Sequence, residues 1–172
     1  MKGENMATVT FQGNPLTLEG RAVKVGMQAP AFKVVNGELK PVTLADFKGK
    51  VKIITTFPSV DTPVCSLQLK AFNKKAAELG KDVVILAISK DLPFAQNRFC
   101  EANGIKSVQV LSDYQESSLA LAYGLLIKEL KLLARSILIV DKNDTIQYIQ
   151  IVGEISHEPN YDEAMKALKK LA

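Results

Sequence analysis

VKIITTFPSVDTPVCSLQLKAFNKKAAELGKDVVILAIS, residues 51–89, spans a strand, a loop, a helix and a second strand. VKIITTF (51–57) and DVVILAIS (82–89) are nearly continuous apolar runs of strand length, the pattern of strands covered on both faces. Between them Leu69, Phe72, Ala76 and Leu79 recur at 3,4,3 spacing, an apolar stripe on a helix over 65–79. Lys70, Asn73 and Lys74 point elsewhere, and Gly80 supplies a C-terminal stop. Together these elements form a βαβ unit.

The pattern continues downstream. Leu92, Ala95, Phe99 and Ala102 give a second helix over 92–103 that ends at Gly104 and leads to a strand at 108–111. A shorter helix around 118–123 precedes SILIVD (136–141), the turn Lys142-Asn143-Asp144 and TIQYIQIV (145–152), an antiparallel hairpin. The last helix follows Pro159 and Asn160, with Glu163 placed for a capping box and a stripe of Tyr161, Ala164, Leu168 and Leu171. Upstream, TVTFQGNPLTL (8–18) has two short β-favouring runs split by Gly13-Asn14-Pro15, which predicts an N-terminal β-hairpin. Crossover helices cover both faces of such a sheet. The expectation is therefore a thioredoxin-like α/β sandwich, a mixed central sheet with the added hairpin, in one domain spanning residues 1–172.

Composition narrows the function. With 47% hydrophobic and 23% charged residues, ten Gly and seven Pro in 172 residues, the chain resembles an ordinary globular protein rather than a disordered or fibrous one. No stretch reaches the roughly 18 apolar residues of a membrane span. The net charge of +4 is spread along the chain, so neither nucleic-acid nor membrane binding is indicated. MKGENMATVTFQGNP has no apolar signal segment, which predicts a cytoplasmic protein, and Met6 is an alternative start. The single histidine, His157, reads as a solvated loop residue, and Cys65 and Cys100 lack metal-site spacing. No metal or cofactor is expected.

The loop from Pro58 to Pro63 ends where the helix begins. Asp61 or Thr62 can cap it, and Pro63 suits the first helical position, so Cys65 falls in the first turn. Free N–H groups and the helix dipole there favour a thiolate, whereas a free thiol is only a few per cent ionised at pH 7. A packed, inert cysteine is the alternative. Acyl transfer needs a general base, usually His, and only the remote His157 exists. Attack on a peroxide O–O bond needs a thiolate, hydrogen-bond donors and a cation; Thr62 and the backbone near Cys65 offer the donors. The sulfenic acid formed condenses with a second thiol. Cys100 is the candidate, in a row with Gln96 and Asn103 at the margin of the second helix's stripe; the alternative is a seam-filling small residue. Bonding the two cysteines without movement requires Cα atoms within about 7 Å, so one or both helix ends are expected to unravel. Of three arginines, Arg21, Arg98 and Arg135, Arg98 reads as solvated, while Arg135 stands just before a central strand.

FPSVDTPVCSLQLKAFN (57–73) closely resembles the peroxidatic-site signature of the bacterial thiol peroxidase branch of the peroxiredoxins. RFCEANGI, LSDYQ, YGLLI, LLARSILIVDKND, EISHEPNYDEAMKAL and the N-terminal FQGNPLTLEG extend the resemblance over nearly the whole chain. It implies that Cys65 is the peroxidatic cysteine, that Thr62 and Pro63 belong to its T-x-x-C core, and that Arg135 supports thiolate and peroxide. Pro58, Pro63 and Val64 fall where substrate is held. Cys100 matches the resolving cysteine of an atypical two-cysteine peroxiredoxin, which forms an intramolecular disulfide after local unfolding. The resemblance further implies hydrogen peroxide and organic hydroperoxides as substrates, thioredoxin as reductant, and a homodimer. The chain departs from many relatives at KELK (128–131), where they carry a longer Gly/Pro-containing loop.

Two other readings stand beside a peroxidase. A dithiol-disulfide exchanger needs two thiols within one helical turn, and Thr62 occupies the place of the first. A redox sensor or partner-binding module would use the same disulfide as a switch.

Overall fold

Alternation along the central strands divides the interior into two cores. On strand β5 (Val51–Thr56), β6 (Val83–Ser89) and β10 (Ser136–Val140), Ile53, Ile85, Ala87, Ile137 and Ile139 enter one apolar cluster. Their neighbours Ile54, Leu86, Ile88, Leu138 and Val140 enter the other. This is the period-two geometry of a sheet covered on both sides. The computed structural model describes residues 7–171.

Seven strands form the main sheet: β3 (Lys33–Val35), β4 (Pro41–Thr43), β5, β6, β7 (Gln109–Ser112), β10 and β11 (Ile146–Ile151), in the order β11-β10-β5-β6-β7-β3-β4. The pairs β5/β6 and β6/β7 are parallel, whereas β10 runs antiparallel to β5 and to β11, so the sheet is mixed as expected. Helices α1 (Pro63–Ala76) and α2 (Pro93–Asn103) make the two parallel crossovers. With α4 (Tyr161–Lys169) they contribute to the cluster containing Ile53. The short α3 (Ser118–Ala122) packs into the opposite cluster. Leu69 and Phe72 of α1 are fully buried, worth roughly 1.5–3 kcal/mol each in removed apolar surface.

The N-terminal hairpin is present with a shifted turn. Strands β1 (Thr8–Phe11) and β2 (Asn14–Glu19) are joined by Gln12 and Gly13, both at positive φ (50° and 83°). A two-residue hairpin turn favours that conformation at both central positions, and Pro15, with φ fixed negative, can only belong to the strand. Asn14 and Pro15 accordingly pair with Phe11 and Thr10. The hairpin joins a second, four-stranded sheet through β8 (Leu126–Ile127) and β9 (Leu132–Leu133), in the order β1-β2-β8-β9. KELK (128–131) is the tight turn between β8 and β9, closed by Lys131 N–H donating to the Ile127 carbonyl at 2.8 Å. The Glu129 carboxylate accepts from Thr17 N–H and ties that turn to β2.

Two helix expectations change. Helix α1 ends at Ala76 with Ala77 as its cap, so Gly80 is not its stop. Helix α2 ends at Gly104 as expected, with φ +65°, but its inner face is rotated. Leu92 stands outside the helix as an extended N-cap and is 51% exposed, and Ala102 is exposed. Pro93 and Gln96 face inward instead, because the Gln96 amide donates to Ser89 Oγ (3.0 Å) and the Leu111 carbonyl (2.8 Å). No helix of the described residues is long and apolar enough to cross a membrane. Met6 lies outside the described residues.

Candidate active site

The start of α1 is built from its capping chemistry. Thr62 is the N-cap, in extended conformation, and its Oγ1 accepts from Cys65 N–H at 3.4 Å. Pro63 follows at the first helical position, where a missing N–H costs nothing. Of the two expected caps the structure uses Thr62; Asp61 is exposed. The Ser59 carbonyl accepts from both the N–H (3.2 Å) and the hydroxyl (3.1 Å) of Thr62, which fixes the cap's rotamer. Cys65 is thereby held in the first turn, where N–H groups and the positive dipole end converge. Its side chain is fully buried, packed in the cluster that includes Ile53, Phe57, Leu69 and Phe72.

Arg135 supplies the cation. It immediately precedes β10, where the Thr56 hydroxyl donates to the Ala134 carbonyl (2.7 Å) and meets Ser136 Oγ (2.5 Å), locking the strand start against β5. The guanidinium is 2% exposed; Nε and Nη2 donate to the Ile155 carbonyl at 3.0 and 2.7 Å, and Nη1 donates to Gln68 Oε1 at 2.8 Å. Gln68 lies one turn beyond Cys65 on α1, and its amide donates in turn to Thr55 Oγ1 (2.6 Å) and the Thr56 carbonyl (3.1 Å). All these acceptors are neutral, and among the described residues no carboxylate forms an ion pair with Arg135. A buried charge without a counterion is costly, and an anion arriving beside it is correspondingly stabilised. Tyr161 lies within electrostatic reach of both ends of this arrangement. Burial pushes its phenol up, Glu158 adds to the rise, the Arg135 charge opposes it, and a charge on Cys65 adds to it.

Arg135 opens onto a cavity of about 480 Å³. Pro58, Thr62, Pro63 and Val64 form the wall next to Cys65. Phe11 and Gln12 from the hairpin tip and Leu130 from the KELK turn form the other side. The cavity is thus mostly apolar, with the Arg135 guanidinium and the side chains of Gln12, Thr62 and Ser156 as its polar features. The structure brings Pro58, Thr62, Pro63, Val64 and Arg135 to one place, with Cys65 buried next to them in the chain. His157 is an exposed loop residue and Arg98 is exposed.

Cys100 is on α2, half-buried and a free thiol like Cys65. It sits at the margin of the core, as expected: it is partly buried against the apolar cluster that contains Cys65. Burial pushes its thiol above the ordinary value of 9.0. Gln68 and the Ile155 carbonyl are the two components that sequence reasoning missed. Gln68 was signalled, since Cys65, Gln68 and Phe72 share one helical row and a polar residue in a buried row needs polar partners.

Comparison with known proteins agrees with this architecture. The Redoxin family model matches residues 24–165. A thiol peroxidase of Bacillus subtilis is 51% identical over 166 residues, covering 96% of this chain and 99% of its own. Another, from Halalkalibacterium halodurans, is 47% identical over 164 residues, covering 95% and 98%. The crystal structure of a peroxiredoxin-like protein from Aquifex aeolicus superposes with TM-score 0.91 at 42% identity, over 98% of this chain and 100% of that one. The chain belongs to the Redoxin family. With relatives this similar over nearly its whole length, it is a peroxidase enzyme on a thioredoxin-like peroxiredoxin fold.

Proposed function

We propose that the protein reduces hydrogen peroxide and organic hydroperoxides by a two-cysteine cycle in which Cys65 is the nucleophile and Cys100 resolves. The observation that carries this reading is a buried guanidinium, Arg135, without a carboxylate partner among the described residues, opening on the cavity shared with Thr62 beside the helix turn of Cys65. The Cys65 sulfur, as thiolate, attacks one peroxide oxygen; an S–O bond forms, the O–O bond breaks, and its electron pair leaves on the other oxygen. That oxygen takes a proton and departs as water or an alcohol. Arg135 stabilises the charge as it crosses from sulfur to oxygen, Thr62 holds the Cys65 turn in place through its cap, and Pro58, Pro63 and Val64 hold the substrate.

The resulting sulfenic acid is attacked by the Cys100 sulfur, forming the Cys65–Cys100 disulfide and releasing water. The two thiols stand on different helices, α1 and α2, and in this reading α2, α1 or both open locally for the sulfurs to meet. A thioredoxin-type dithiol then supplies two electrons and two protons to restore the thiols. In this reading the protein is a cytoplasmic homodimer of one domain per chain, and the reducing compartment keeps its thiols available. The apolar walls at Phe11, Pro58 and Leu130 support organic hydroperoxides as substrates.

The test follows peroxide loss with a thioredoxin system in wild type, Cys65→Ser and Cys100→Ser. The reading expects no activity in the first variant and a single turnover without cycling in the second. Disulfide reduction with peroxide left untouched would show an exchanger instead.

A further inference from the structure

The two cysteine segments meet at a carboxylate that the chemistry above does not use. Asp91 lies between β6 and α2, just before the helix that carries Cys100. Its Oδ1 accepts from Ser59 Oγ at 2.7 Å, and its Oδ2 accepts from Val60 N–H at 2.9 Å and Ser89 Oγ at 2.6 Å. Its own carbonyl accepts from the Ser112 hydroxyl at the end of β7. Ser59 and Val60 belong to the loop that leads into α1.

On one side the hydrogen bonds continue to Cys65. The Ser59 carbonyl holds the N–H and hydroxyl of Thr62, whose Oγ1 accepts the Cys65 N–H. On the other side they continue to α2. Ser89 Oγ, which donates to Asp91, accepts from the amide of Gln96, one turn before Cys100 on the same helix. Gln96 is 1% exposed, and its Oε1 is buried with no partner among the described residues. The inner anchor of α2 is therefore satisfied on one side only, and each unmet buried acceptor weakens it.

We propose that Asp91 is a positioning residue that latches the peroxidatic loop to the root of the Cys100 helix, so that opening α2 for disulfide closure also releases the cap over Cys65. The proposal rests on the two-cysteine reading. While α2 is folded, Asp91 holds Ser59 and Val60, Thr62 keeps its rotamer, and Cys65 is in place for peroxide. When the Gln96–Ser89 contact breaks, the Asp91 anchor loosens with it, and the Cys65 segment becomes free to move toward Cys100. Asp91 thus favours the oxidation step and restrains the closure step.

The experiment is rapid quench of reduced protein with one equivalent of hydrogen peroxide, followed by alkylation and intact mass, which separates sulfenic acid formation from disulfide closure. In Asp91→Ala, oxidation of Cys65 is expected to slow by about tenfold or more, the order that small misplacements of reacting groups produce. Closure is expected to be at least as fast as in wild type. Asp91→Asn, which retains an oxygen for Val60 N–H, restores most of the oxidation rate, and adding Ser59→Ala to Asp91→Ala costs nothing further. If Asp91→Ala does not fold, Ser59→Ala alone carries the comparison, with slower oxidation and undiminished closure. Oxidation within twofold of wild type, or both steps slowed in parallel, overturns the latch. A wild-type protein whose Cys65 stays reduced would refute the two-cysteine reading itself, a separate result.

Discussion

Arg135 and Gln68 meet through a 2.8 Å hydrogen bond from Nη1 to Oε1, inside the protein and one helical turn beyond Cys65. The contact ties the cation of the cavity to the helix that carries the thiol, and the Gln68 amide ties the same helix to β5. A guanidinium suits this place because its planar fork addresses Ile155 with two donors and Gln68 with a third.

Arg135→Lys keeps the charge but not the fork. The expected outcome is a loss of kcat/KM of about 100-fold, as when one donor to developing oxyanion charge is removed. Folding stability falls by about 1–3 kcal/mol because buried acceptors lose partners. Steady-state peroxide kinetics and urea unfolding measure the two.

Gln68→Ala should couple to that change. Acting through one hydrogen bond, the two substitutions are expected to be non-additive by about 0.5–3 kcal/mol in a double-mutant cycle of stability. Additive values would mean that the two side chains do not support each other.

Thr62→Val removes the side-chain acceptor of Cys65 N–H while nearly conserving shape. About 0.5–2 kcal/mol of stability is expected to go with the cap, together with a slower reaction of Cys65 with hydrogen peroxide. Thr62→Ser restores both. Thermal unfolding and thiol titration after a peroxide pulse provide the check.

Phe11→Ala and Leu130→Ala trim the cavity wall away from the thiol. A bulky aromatic hydroperoxide should lose roughly tenfold or more in kcat/KM, the scale of lost apolar contact in a binding pocket. Hydrogen peroxide, too small to touch both walls, should change less than twofold. Equal losses for both peroxides would show that these side chains shape the site rather than the substrate.

Cys100 makes the stability of α2 dependent on pH. Burial raises its pKa above 9.0 in the folded chain, so the folded state holds this proton more tightly than an unravelled helix does. The contribution is complete below the unfolded pKa and is lost as pH rises through the folded one. Hydrogen exchange of α2 should therefore accelerate more between pH 8 and 10, beyond the intrinsic exchange rate, in wild type than in Cys100→Ser. An identical pH response in the two would contradict it.

The central strands were legible because burial on both faces writes a long apolar run, as in VKIITTF. Strands β8 and β9 are only two residues each, too short for any period; they pair with each other, and β8 pairs with β2 of the N-terminal hairpin, a contact distant in sequence. The turn at Gln12 and Gly13 was misplaced because Asn14-Pro15 is turn-like chemistry that the β1–β2 register overrides. The Thr62, Pro63 and Cys65 geometry follows from local capping rules, so the helix start could be read directly. On α2 the apolar stripe misled, since Leu92 falls outside the helix and a hydrogen-bonded glutamine takes the inner row. Asp91 has one local partner, Ser89 two residues away, but its partners Ser59 and Val60 come from the β5–α1 loop, which only the parallel pairing of β5 and β6 brings alongside.

The most direct measurement adds one equivalent of hydroperoxide to the fully reduced protein, then counts free thiols and maps cross-linked peptides. The account predicts the loss of both thiols per peroxide and a Cys65–Cys100 peptide within one chain. Two free thiols after the peroxide is consumed, or Cys65 joined only to another chain, would contradict it.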